Sequence, residues 1–80
     1  MHLDYEQEPE AGQQFAFRLV GVVGAVRLHY FVGERPYGEE VCEVPSCAFV
    51  VAVPAGTGGE FLRLVVEGED GSQEFRVRIE

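Results

Sequence analysis

The sequence has no lysine and no tryptophan, and only two of its fourteen acidic residues, Asp4 and Asp70, are aspartate. All six basic residues are arginine, which leaves a formal net charge of -8. Arginine without lysine points to a GC-rich genome, and glutamate in place of aspartate fits a thermophile better than a halophile. So acidic a chain disfavours nucleic acid and anionic membranes as partners; it suits solubility or a basic protein. No apolar run approaches the ~20 residues that span a bilayer, so membrane insertion is not expected. No basic segment followed by an apolar stretch opens the chain as a signal peptide would. The expected setting is a virion, the cytoplasm, or a domain of a longer surface protein.

Groups for catalysis and cofactor binding are equally scarce. The only serines, Ser46 and Ser72, fall in expected turns. His29 has no nucleophile or second acid–base group assigned beside it. Gly56-Thr57-Gly58-Gly59 lacks the Lys-Ser/Thr of a phosphate-cradling loop, and a strand rather than a helix is expected after it. The carboxylates near Glu67–Asp70 lack the spaced aspartates of a calcium loop. No enzyme activity, cofactor or metal is expected.

What is present reads as one small globular domain. Hydrophobic residues make up 46% and charged residues 25% of 80 residues. A chain of this length buries only roughly 60–65% of its unfolded surface, so its core is small. Residues 1–13 are polar and read as a flexible N-terminal arm, with an edge strand at 2–6; residues 14–80 read as the domain. Gln14–Val20 alternates, with Phe15, Phe17 and Leu19 on one side. Val26, Leu28, Tyr30 and Val32 alternate with Arg27, His29 and Phe31. Gly33–Gly38 reads as a loop containing Pro36, Glu39–Val44 as a short charged strand, and Cys47–Val53 as a strand apolar on both sides. Asp70-Gly71 is a hairpin signal. A turn centred there sets Val66 opposite Phe75, Leu64 opposite Val77 and Leu62 opposite Ile79. It also sets Glu67 opposite Glu74 and Arg63 opposite Arg78, like charges face to face. No segment shows a helical period. Short strands at this spacing predict an all-β, antiparallel sandwich or small barrel.

The order of Val26–Gly33, Glu39–Val44, Phe49–Gly56 and Val65–Gly71 resembles a fibronectin-III/immunoglobulin-like β-sandwich accessory domain. The likeness covers about two-thirds of the chain, and its motifs are turn and core signals. It implies a small sandwich of about 6–7 short strands. It also implies a role as spacer, adhesion module or assembly contact. The chain is short for that family, and its first strand is missing or lies in the polar arm.

Cys42 and Cys47 flank a four-residue segment, Glu43-Val44-Pro45-Ser46. Such spacing is compatible with a disulfide across a hairpin. It is also compatible with two free thiols, or with a metal site completed by His2 and His29, for which the spacing is unusual.

Period two sends Ala16, Val20, Phe31, Ala48, Val50, Ala52 and Val65 outward, where a half-solvated strand is normally polar. A contiguous apolar patch usually marks a contact. Phe31, Val50, Val65, Val20 and His29 are therefore the candidate interface, unless the arm covers them. The expected role is a non-enzymatic structural or protein-interaction module, self-assembling or docking on a partner protein, in a virion or at a cell surface. The alternative is an acidic inhibitor or nucleic-acid mimic that binds a basic protein site.

Overall fold

Two antiparallel sheets pack face to face in the computed structural model, which describes residues 1–43, 46–69 and 71–80. The strands are β1 (His2–Asp4), β2 (Gln14–Val20), β3 (Val26–Val32), β4 (Arg35–Cys42), β5 (Ser46–Ala52), β6 (Phe61–Gly68) and β7 (Gly71–Arg78). The first sheet runs in the order β1-β2-β5 and the second β4-β3-β6-β7. The fold is a small all-β sandwich, and no helix occurs among the described residues.

The alternating pattern does the sorting. On β2, Phe15, Phe17 and Leu19 are buried and the residues between them exposed. Leu28 and Val32 of β3 and Leu62, Leu64 and Val66 of β6 close the core from the second sheet. An aromatic row runs through the first sheet's inner side. Tyr5 meets Phe15 edge-on at 5.3 Å, Phe15 stacks on Phe17 at 5.4 Å, and Phe17 stacks on Phe49 at 5.4 Å. Such ring pairs stabilise beyond the area they bury.

Three expectations need correction. Gly33–Gly38 is not a loop. Gly33, with a φ of 60°, and Glu34 form a tight turn, and β4 starts at Arg35. Pro36 is tolerated within β4 because β4 is an edge strand. The ladder passes from Tyr30 opposite Gly38 to Phe31 opposite Pro36, so Tyr37 is an extra residue in a bulge. Val44, expected to end this strand, lies outside the described residues, as does Pro45.

The β6–β7 register also differs. It closes at Gly68 opposite Gly71, and Asp70 lies outside the described residues. Leu64 faces Phe75, Leu62 faces Val77 and Val66 faces Gln73. A shift of two residues in the pairing keeps every side chain on its expected side, so Leu62, Leu64 and Val66 stay in the core. The physical reason lies on the other side. Glu74 moves from opposite Glu67 to opposite Val65, between Arg63 and Arg76. Arg63 donates from Nε and NH2 to Glu74 Oε1 at 3.1 and 2.7 Å, and Arg76 Nε donates to Oε2 at 2.7 Å. The two guanidiniums beside Glu74 hold its carboxyl below the ordinary glutamate value.

The third correction concerns the cysteines' surroundings. Cys42 and Cys47 form a disulfide with Cα atoms 6.1 Å apart. It does not cross a hairpin of one sheet. It joins β4 to β5, the edges of opposite sheets, and so closes one side of the sandwich.

The N-terminal segment is bonded to the rest of the domain at several points. β1 pairs with β2, as Leu3 opposite Leu19. Pro9 is fully buried. Glu80 N donates to Pro9 O at 2.8 Å and Ala11 N to Glu80 O at 3.1 Å, while Val53 N donates to Gln13 O at 2.9 Å. These bonds join the segment to the C-terminus and to Val53, the residue that follows β5.

Candidate functional site

The candidate interface residues divide between two surfaces. His29 faces Val65 and Phe31 faces Arg63 on the outer side of the second sheet. Val20 and Val50 lie on the outer side of the first sheet, where Ala16 faces Val50 and Arg18 faces Ala48. The two surfaces point away from each other, so the expected single apolar face does not exist. Alternation told inward from outward, but it carried no information about which sheet each outward residue belonged to.

The two outer surfaces differ in chemistry. On the second sheet, charge covers the apolar residues. The Arg63 guanidinium lies 5.3 Å from the Phe31 ring centre and donates to Gly33 O at 3.0 Å. His29 sits between two carboxylates, with Nδ1 3.5 Å from Glu39 and Nε2 3.6 Å from Glu67. Its Nε2 is out of contact with solvent and lacks a hydrogen-bond partner at bonding distance. Phe31 and Val65 are half-buried under this network. The stems and rings of such residues shield apolar surface while their charged ends stay wet.

Among the described residues, no comparable network of charged contacts covers the outer side of the first sheet. Ala16, Ala48, Val50 and Ala52 are exposed, Val50 to 60%. The segment 1–13 does not reach over Val50. It borders instead a groove of about 430 Å3 against β2, lined by Asp4, Glu6, Glu8 and Glu10 together with Arg18 and Ala16. The strip of small apolar side chains thus runs into the acidic groove, which Ala16 and Ala48 help to line. The signal that separates this strip from the other outer surface is the cross-strand neighbour, which requires the register.

The described residues hold no group of three or more His, Cys, Asp and Glu side chains placed to bind a metal. They contain no helix long and apolar enough to cross a membrane. The closest approach to a reactive arrangement is Glu39–His29–Glu67, which offers an imidazole and two exposed carboxylates but no nucleophile in contact. Comparison with known proteins found no matching family model, no matching curated protein and no matching solved structure.

Proposed function

We propose that this domain is a non-enzymatic protein-interaction module of fibronectin-III/immunoglobulin-like type, serving as a structural component of a virion or a cell surface. The observation that carries the reading is the exposed apolar strip Ala16, Ala48, Val50 and Ala52 on the first sheet. An isolated sandwich normally makes this surface polar. The strand order supports the family reading as well. Seven antiparallel strands divide into sheets of three and four, the strand number and layering of that sandwich class.

A second reading is favoured by the groove lined by Asp4, Glu6, Glu8 and Glu10, which fits an acidic inhibitor or nucleic-acid mimic acting on a basic site. Affinity capture with the wild type and with Val50→Arg, at low and high salt, separates the two. A partner held on the apolar strip is captured by the wild type at both salt concentrations and lost with Val50→Arg. A partner held by the carboxylates is released by salt from both proteins, because exposed charge pairs are screened. A partner retained by both proteins at high salt counts against both readings.

A further inference from the structure

Among the described residues the sandwich has four edge strands, β1, β5, β4 and β7, and β5 alone lacks any device against pairing with another strand. An edge strand presents a row of backbone donors and acceptors, and proteins block such rows with short strands, charge, proline or bulges. β1 is 3 residues long. β4 carries Pro36, the Tyr37 bulge and charged residues at Arg35, Glu39 and Glu40. β7 carries Glu74, Arg76 and Arg78. β5 has none of these devices. It is 7 residues long, SCAFVVA, with no charge, no proline and no bulge in its pairing with β2.

The chemistry below that edge selects what can pair with it. The disulfide places β4 on the same side of the sandwich as β5. Glu40 faces Leu28, a core residue, and lies two positions from Cys42, so it is on the side of β4 that turns toward the first sheet. It is nonetheless exposed. A carboxylate therefore stands at the border of the core on β4, the edge strand that the disulfide joins to β5. A second copy of the chain, paired about a two-fold axis, would bring two Glu40 side chains and two net charges of -8 together. Such like-charge repulsion keeps acidic proteins apart.

Resting on the interaction-module reading, we infer that β5 accepts an extended strand of another protein, with basic residues on its inner side and small apolar residues on its outer side. The added strand continues the first sheet past β5. Its apolar side chains extend the strip of Ala48, Val50 and Ala52, and its basic side chains reach Glu40. Backbone pairing supplies the affinity and alternate side chains supply the selectivity.

The test uses three blocked eight-residue peptides on the full chain: alternating valine and lysine, alternating valine and glutamate, and the lysine peptide methylated at alternate backbone nitrogens. Binding is followed by titration calorimetry and amide NMR shifts. The lysine peptide should bind about ten-fold more tightly than the glutamate peptide, with shifts centred on β5. Backbone methylation should abolish binding. Glu40→Lys should reverse the preference between the two charged peptides. Ser72→Lys, on β7 of the other sheet, should leave binding unchanged, because an added strand meets β5.

Equal binding of the two charged peptides, or no binding of any, overturns the edge site. A partner captured on the apolar strip in the preceding test would still stand. Loss with Ser72→Lys but not with backbone methylation places the contact away from β5 and likewise overturns the edge. A concentration-dependent dimer, broken by Val50→Lys, makes a second copy the occupant and overturns the choice of a basic strand.

Discussion

Tyr30 lies over Gly38. The two are register partners on β3 and β4, and a β-carbon added to Gly38 would come within 2.7 Å of the Tyr30 hydroxyl and 2.9 Å of its ring. The missing side chain on the edge strand leaves room for the aromatic ring on its neighbour, a pairing that covers exposed backbone with apolar surface.

Gly38→Ala should therefore destabilise the domain by about 1–3 kcal/mol, through overpacking rather than backbone strain. Tyr30→Leu in the same chain should recover part of that loss. A double-mutant cycle by urea denaturation measures it. Additive effects would show that Tyr30 and Gly38 do not constrain each other.

The disulfide closes a loop with a sequence separation of only 5 residues. Chain-entropy arguments give a short loop of this kind about 2 kcal/mol, which for a domain of this size is roughly 8–16 °C in melting temperature. Reduction should lower the melt by that amount and leave the strand content intact. Thiol titration of the unreduced native protein should find no reactive cysteine, since the disulfide engages both and Cys42 is 1% exposed. Two rapidly titrating thiols would refute the bridge.

Leu64 is fully buried and its neighbour Val65 half-buried on the opposite side of β6. Leu64→Ala should cost about 2–5 kcal/mol, a large part of the roughly 4–12 kcal/mol expected of the whole domain. Leu64→Asp should prevent folding, because it buries an unpaired charge. Val65→Thr should change the melting temperature little. Circular dichroism melts of the three variants test the inward and outward assignment of the strand.

Glu74 joins Arg63 and Arg76, and both guanidiniums lower its pKa in the folded state below the ordinary 4.5. The contribution to stability is therefore fully present above about pH 4.5 and is lost as the pH falls through the lowered value. Glu74→Gln should be less stable than the wild type at neutral pH. The difference between the two should shrink as the pH falls through the lowered pKa, below which both side chains are neutral. A difference in melting temperature that stays constant across this range would show that the charge on Glu74 has no part in holding Arg63 and Arg76.

Much of the sandwich was legible because alternation is a local signal. Phe15, Phe17 and Leu19 declare one side of β2 without reference to any other strand, and Leu62, Leu64 and Val66 do the same for β6. The hairpin register was legible only up to parity. A two-residue shift leaves the core unchanged, so hydrophobic pattern alone cannot choose between the two pairings. The choice went to the pairing that sets Glu74 between two arginines, a cross-strand electrostatic effect.

The sequence alone determined the strand class, the inward side of each strand and the charge of the surface, since each depends on residues near one another in the chain. The tertiary structure decided what depends on distant neighbours. It put Phe31 and Val50 on opposite outer surfaces, covered one with Arg63 and left the other bare. It carried the Cys42–Cys47 bridge from one sheet to the other and left β5 at the edge of the first. Period two carries no information about sheet membership, because that is set by which strands share backbone hydrogen bonds, and those bonds look alike whatever the side chains are.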